Sequence, residues 1–473
     1  MIQLRPKIHP LLSDFLSDAD RVFNVARLHN GPRHVIFPEI FEENIKTFKS
    51  IFAKESICAR IYLAHKPNKS KVFLKQALHN GICVDVASEE ELAHALSVGF
   101  TGGNIGCTGA KNRGFLSLAL FHGCLVSIDS VQELDAIIQL RGTLTDLPPT
   151  PILIRISDPQ SKDRNLTMKV SRFGLSRHEL PAIYEKLKKQ DGIVWRGFHF
   201  HNYEPSEAKA GFTEDLLGLM EDSYKQGFSP DLIDIGGGFR TEMLENYEEW
   251  PRFIEQLASA MQNNTDTSTW RNYTYDLFLN QKGTISGRDK LQGQFAQFGY
   301  ESLIKGILEN EVLRGRPLKD FIKESMFSLM IEPGSSIFDQ AGISLLSVVG
   351  IKKTANGENL IVVDGNIYNL STYMVEPLMD PVLIPQTLSE QAPFEGYLVG
   401  NLCKEGDIIM KRKVFFKALP REGDILCFIN TAAYSSDFED TNAHLHPVGK
   451  KFVAFRGNES KWSLYSEDAY NPF

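Results

Sequence analysis

Four places along the 473-residue chain combine residue types that do chemistry. Lys66 follows the apolar run IYLA and His65 and precedes Pro67-Asn68. An amine at a strand end, partly withdrawn from water, is favoured in its neutral, nucleophilic form. His199 and His201 stand two apart in GFHFH, so they share one face of an extended strand while Phe198 and Phe200 take the other. Gly236, Gly237 and Gly238 follow LIDI, and three successive residues without a Cβ let backbone N–H groups converge on a phosphate. Glu332 closes the run SLMI ahead of Pro333-Gly334, where a carboxylate can keep a heterocyclic nitrogen protonated. Singly, each is ordinary: a solvated lysine, a loose turn, a structural acid. The two histidines could begin a metal site, but no third ligand is evident from the spacing. Stacking or acid–base work suits one of them better, and no metal is expected.

These residues need elements that bring them together. From about residue 60 to about residue 333, short apolar runs alternate with longer amphipathic stretches, the form of repeated strand-then-helix units. Eight runs end at Ala64, Val86, Cys107, Ile128, Ile156, His201, Ile235 and Ile331. Ser88 with Glu91 forms a capping box ahead of one intervening helix. Eight such strands predict an α/β chain with a (β/α)8 TIM barrel, whose reactive groups gather at the carboxyl ends of the strands. The residues at and just past the ends of the runs are polar: His65 and Lys66, Asp85, Thr108, Asp129, Arg155, the histidines, the glycines and Glu332. Past Glu332 the pattern turns β-rich without helical interleaving, in LLSVVGI, LIVVD, DIIMKRKVFF, DILCFIN and KFVAF. We therefore expect residues 36–335 to form the barrel and 336–473 a second, mostly antiparallel β-barrel-like domain, with 1–35 joining that β domain. The stretch 263–297, rich in Asn, Thr, Gln and Gly, reads as an insertion over or beside the barrel mouth.

Composition excludes several classes. Hydrophobic residues make up 42% of the chain, enough for buried cores. Lys plus Arg number 51 against 59 Asp plus Glu, a net −8 without long runs of one sign, so neither nucleic acid nor an anionic membrane is called for. Six cysteines without a close pair point to free thiols in a reducing compartment. Arg5, Pro6, Lys7, His9 and Pro10 interrupt the apolar residues at the N-terminus, and no stretch reaches about 18 apolar residues, so a cytoplasmic protein is expected.

A nucleophilic amine, a phosphate nest, a ring-stacking imidazole and a carboxylate for a ring nitrogen together describe a pyridoxal phosphate site. The motifs IYLAHKPNK, DVASEEELAHAL, SRFGL, GFHFHNYE, LIDIGGGF, IEPG, VDGNIY, LCKEGD and NTAAYSSDF occur in this order. With them the chain resembles the diaminopimelate and ornithine decarboxylase family of alanine-racemase-like, fold type III pyridoxal phosphate enzymes. The resemblance implies that Lys66 holds the cofactor covalently, His201 stacks on its ring, Gly236, Gly237 and Gly238 with Gly334 meet its phosphate end, and Glu332 pairs with its ring nitrogen. It further implies that Cys403 enters the active site of a partner subunit and that Tyr434 reaches the phosphate, with Arg155 and Asp85 in supporting positions.

The sequence also departs from the family pattern. Tyr203-Glu204 replaces Gly-Ser after the stacking His, and Ser335 replaces an arginine, so two phosphate contacts are lost. Arg240, just past the glycines, is a candidate replacement. Lys404 occupies the place of the acid that meets a distal ammonium, with Glu405 next to it. After Tyr368 the chain reads Asn369-Leu370-Ser371-Thr372, where diaminopimelate decarboxylases carry an arginine. Tyr368, Lys404, Glu405 and Arg155 are expected to meet the substrate. The resemblance implies a decarboxylase of an amino acid or derivative, of a divergent branch and acting as a homodimer with shared sites. A fold type III racemase and a non-catalytic regulatory homologue stay open as alternatives.

Overall fold

Buried parallel strands need only short apolar runs, and the helices between them need one apolar face each. In the computed structural model, which describes residues 2–161, 171–202, 206–312, 315–325, 327–370, 376–387, 392–439, 442–457 and 461–472, this alternation forms the barrel. The chain divides into two compact units: one joins the chain up to Phe41 with Arg240–Phe298 and Phe338–Tyr470, and the other joins Glu42–Phe239 with Gly299–Ile337.

Strand β1 (Arg33–Ile36) lies in the first unit. The second unit holds β2 (Ala59–Ala64), β3 (Cys83–Val86), β4 (Ile105–Cys107), β5 (Leu125–Ile128), β6 (Thr150–Arg155), β7 (Ile193–His199) and β8 (Leu232–Asp234). Two ladders of two-residue strands come next, β9 (Phe278–Leu279) with β10 (Ile285–Ser286) and β11 (Glu311–Val312) with β12 (Arg316–Pro317). Strand β13 (Ser328–Ile331) then pairs with both β8 and β2 and closes a parallel eight-stranded barrel. Each of the eight runs read from the sequence supplies one of its strands. Tyr62, Leu125, Leu153, Leu232 and Met330 fill part of its interior. Side-chain caps fix the helix starts: Ser88 Oγ accepts the Glu91 N–H at 3.1 Å, and Ser130 Oγ accepts the Glu133 N–H at 3.1 Å.

The remaining strands are β14 (Gly342–Lys353), β15 (Asn359–Val363), β16 (Val382–Ile384), β17 (Phe394–Val399), β18 (Ile408–Phe416), β19 (Ile425–Ile429), β20 (Lys450–Phe455) and β21 (Ser463–Ser466). With β1 they form one branched, mostly antiparallel sheet in the order β18-β17-β15-β14-β1-β20-β21, and β19 and β16 branch from β14. β14 is long enough to pair with β1 and β19 near its start and with β15 near its end.

The stretch 263–297, which the sequence pattern assigned to the barrel, falls in the first unit. Packing explains this. Leu244, Trp250, Ile254, Leu257, Leu277, Leu291 and Phe295 share a core with Leu4, and Leu378 and Met379 pack against it. Among the described residues no helix is long and apolar enough to cross a membrane.

Candidate functional site

Because all eight barrel strands run parallel, their carboxyl ends share one rim. Asp85, Ser127, Arg155, His199 and Asp234 lie at or next to strand ends, and Glu332 follows β13 directly. His199 is fully enclosed: its Nδ1 shares a hydrogen bond with Ser127 Oγ at 2.8 Å, and its Nε2 lies 3.8 Å from Asp234 Oδ2 and 3.8 Å from Glu332 Oε2. The same Glu332 oxygen lies 3.7 Å from His201 Nδ1. The N–H of Gly237 donates to His201 Nδ1 at 3.2 Å, and the N–H of Gly236 donates to Asp234 Oδ1 at 2.8 Å. Elsewhere on the rim, at the ends of β3 and β4, the Thr108 hydroxyl donates to Asp85 Oδ2 at 2.8 Å.

Burial and mutual repulsion divide the charge among these acids. Burial pushes Asp85 and Asp234 well above the usual carboxylate range, and the charge on Glu332 pushes them further. Burial acts on Glu332 in the same sense, but His199 and His201 beside it outweigh burial and bring it down to about 2. Burial takes His199 down to about 3 and also lowers His201, with Glu332 opposing both shifts. At neutral pH Glu332 is therefore ionised, beside the neutral imidazole of His199.

The glycines are required by close approach. Gly236 has φ +65°, and a Cβ there would stand 2.7 Å from His201 Nδ1; on Gly237 it would stand 2.5 Å from the Glu332 carbonyl oxygen. Arg155 is buried with its guanidinium 4.8 Å from the Phe173 ring centroid, so SRFGL packs onto β6. Gly334 accepts the Ile337 N–H at 3.1 Å, and Ser335 is exposed.

Lys66 departs from expectation. It is exposed rather than partly withdrawn, because the chain leaving β2 places His65 in the enclosed position. His65 Nε2 is 2.9 Å from His94 Nδ1, and the two rings stack with centroids 5.1 Å apart. Lys66 still sits near enough to Asp85 for its charge to favour the Asp85 carboxylate.

The other predicted residues lie in the first unit. Arg240 is exposed and its Nη1 donates to the Gly293 carbonyl at 2.6 Å. Tyr434 is half-buried at φ +65°, its ring 5.3 Å from that of Phe438. Cys403 is exposed, with its backbone N–H donated to His444 Nδ1 at 3.4 Å. Lys404 Nζ donates to the Tyr368 hydroxyl at 3.1 Å, and Glu405 Oε2 pairs with Arg271 Nη2 at 3.1 Å. Tyr203, Glu204, Ser371 and Thr372 lie outside the described residues.

Several neighbours were missed from sequence: Ser127, His94, Asp234 and Lys209. Asp234 is a charge inside the apolar run LIDI, and Lys209 shares a helix face with Thr213, Leu216 and Met220, so both carried a signal. Glu332 was expected in the site, but not as a third ligand-bearing group beside the histidine pair. His199, His201 and Glu332 present ligand atoms within 4.8 Å of one another, although Glu332 is distant in sequence.

Two family models match the chain: "Pyridoxal-dependent decarboxylase, pyridoxal binding domain" over residues 40–272 and "Pyridoxal-dependent decarboxylase, C-terminal sheet domain" over residues 239–432. The chain belongs to the pyridoxal-dependent decarboxylase family. It is 27% identical to the uncharacterized protein y4yA of Sinorhizobium fredii, covering 98% of this chain and 96% of that protein. It is 23% identical to the diaminopimelate decarboxylase of Staphylococcus aureus, over 85% of this chain and 84% of that enzyme. The crystal structure of diaminopimelate decarboxylase from Helicobacter pylori complexed with L-lysine shares the fold, with a TM-score of 0.68, 17% identity, and coverage of 94% of this chain and 95% of that one.

Pyridoxal phosphate is the cofactor of this family, and the barrel rim fits it. Among the described residues, Asp85 Oδ1 and His199 Nε2 are buried without a hydrogen-bond partner, while the carboxyls of Glu332 and Asp234 lie close enough to share a hydrogen bond. An enclosed, ionised carboxylate such as Glu332 calls for a donor, and a protonated ring nitrogen is one. The Gly236-Gly237 backbone leaves no room for side chains beside His201 and Glu332.

Proposed function

We propose that the protein decarboxylates an amino acid or amino-acid derivative whose distal end carries no free ammonium, in a site completed by a second copy of the chain. The observation that carries the decarboxylase chemistry is the ionised, enclosed Glu332, held beside His199 and His201 directly after the last barrel strand. Pyridoxal phosphate, when bound, supplies the sink for the electron pair left as carbon dioxide departs. Lys66 is the amine that binds it covalently, His201 covers its ring, and Glu332 keeps a proton on the ring nitrogen. Cys403 of the second copy, or Lys66, returns a proton to Cα.

The distal-group reading rests on the loop after Cys403. Lys404 presents an ammonium there, and the adjacent acid, Glu405, is paired with Arg271. The Helicobacter pylori relative was crystallised with L-lysine, whose side chain ends in an ammonium. Burying such a group beside another cation is unfavourable. The test is the visible absorbance of the purified protein, followed by a carbon dioxide release screen over L- and D-amino acids. Release from substrates with acidic or neutral distal groups, and little from lysine, ornithine or diaminopimelate, is expected. Inversion of stereochemistry without carbon dioxide would point to a racemase instead.

A further inference from the structure

Lys209 lies in the helix Ser206–Lys225, and its side chain is wholly buried. Its Nζ donates to the carbonyls of Ile235 and Gly237, each at 2.9 Å, and to that of Asn202 at 3.4 Å. The amine lies 5.4 Å from the centroid of the Phe200 ring and 5.5 Å from that of Phe239. Burial lowers it to about 7, against the attraction of Asp234 and Glu332. Geometry favours the ammonium: three carbonyl acceptors match its three N–H donors, whereas a neutral amine would turn a lone pair toward one of those oxygens.

The three carbonyls belong to the two segments that frame the cofactor site. Asn202 follows His201, and Ile235 and Gly237 flank Gly236. The described peptides are all trans, so a carbonyl drawn to one side sends the N–H of the same peptide to the other. By holding the oxygens of Ile235 and Gly237, Lys209 turns the N–H groups of Gly236 and Gly238 away from itself. Gly236 and Gly238 have φ +65° and +85°, the alternation that builds an anion nest. Two glycine donors are already in use, Gly236 on Asp234 and Gly237 on His201, which leaves the turn short of donors for a dianion.

We propose that Lys209 is a positioning residue for the cofactor's phosphate: an ammonium beneath the Gly236–Gly238 turn that holds the turn's carbonyls, leaves the Gly238 N–H to face the phosphate, and supplies the positive charge the turn itself lacks. This rests on the reading of the barrel rim as a pyridoxal phosphate site.

The experiment compares binding of pyridoxal 5′-phosphate and of unphosphorylated pyridoxal to the parent, Lys209→Met and Lys209→Gln by equilibrium dialysis, with circular dichroism to confirm folding. A merely structural role would move both affinities together. The expected result is a rise of about tenfold or more in the dissociation constant for the phosphate ester and a clearly smaller one for pyridoxal, since Lys209 also acts on Glu332 and Asp234 but its charge weighs most on the dianion. Equal losses for both ligands, or no loss for either, overturn the proposal. If neither variant folds, Lys209 is a structural tie and the proposal falls. A parent protein that binds neither ligand overturns the cofactor reading itself and this inference with it.

Discussion

His199 Nε2 stands 3.8 Å from Glu332 Oε2 with both side chains enclosed, so the state of one fixes that of the other. Burial disfavours charge on both, and the contest ends with an ionised carboxylate beside a neutral imidazole. Glu332→Gln removes the charge that opposes burial at His199. The His199 titration, followed by NMR of the imidazole, is then expected to move lower still. Turnover should fall by about 100-fold, the cost of losing a preorganised charge at the reacting centre. An unchanged His199 titration would show that the two groups are not coupled.

The same pair sets an acid limit on stability. Unfolded, His199 takes up a proton below about 6.5; folded, it resists until about 3. Between those values the unfolded chain binds more protons, so this contribution to stability falls as pH falls through the window. Glu332 adds in the same sense from 4.5 down to about 2. Asp85 and Asp234, raised by burial, act oppositely as they protonate, so the comparison is made between the parent and His199→Gln. Denaturant unfolding at several pH values is expected to show a parent that loses a few kcal/mol more than the variant between pH 6.5 and pH 3.

How much of this was legible in the sequence depended on the range of the interaction. The eight barrel strands were readable because a buried parallel strand is an apolar run whatever it pairs with, and the Ser88 cap is a contact within one turn. Glu332 and the glycines were readable from their place directly after a strand. The assignment of Arg240–Phe298 to the first unit was not, because Trp250 and Phe295 are explained by Leu4 and Leu378, which no local pattern connects to them. Lys66 and His65 could have exchanged their exposure without changing the pattern. Arg240 looked available as a charged neighbour of the glycines, yet its guanidinium is engaged by Gly293.

Covalent attachment gives a direct check on Lys66. Borohydride reduction of the cofactor-loaded protein followed by peptide mapping is expected to place the label on Lys66. Its exposure leaves the amine reachable, and no other lysine combines a strand-end position at the barrel rim with the AHKPN motif. Label on a different lysine would require the whole site to be reassigned.

Sharing of sites between two copies is tested by mixing subunits. Lys66→Ala and Cys403→Ala proteins are each expected to be nearly inactive. Unfolded and refolded together at equal amounts, they should regain about a quarter of the parent activity, because half the dimers are mixed and a two-fold dimer of that kind restores one of its two sites. A mixture no more active than either parent variant would mean that Cys403 serves its own chain or none.

Specificity turns on which residue of the Lys404-Glu405 pair faces the substrate. Lys404 is held against the Tyr368 hydroxyl at 3.1 Å, with its ammonium 5.6 Å from that ring's centroid, whereas Glu405 and Arg271 form an exposed pair of low energetic value. Both side chains are exposed, but the acid's partner is a cation, Arg271, whereas the cation's partner is the neutral Tyr368 hydroxyl, which leaves the Lys404 charge uncompensated. Lys404→Glu is expected to shift kcat/KM toward diamino acids by about tenfold or more, the scale of replacing a like-charge contact by an attractive one. Tyr368→Phe, which frees the ammonium without removing it, should raise KM for the preferred substrate more than it lowers kcat. Glu405→Ala should leave the ranking of substrates as it is, since Arg271 already satisfies that carboxylate. If instead Lys404→Glu keeps the parent preference while Glu405→Ala abolishes turnover, the distal group is read by Glu405, and the preference for substrates without a free ammonium is withdrawn.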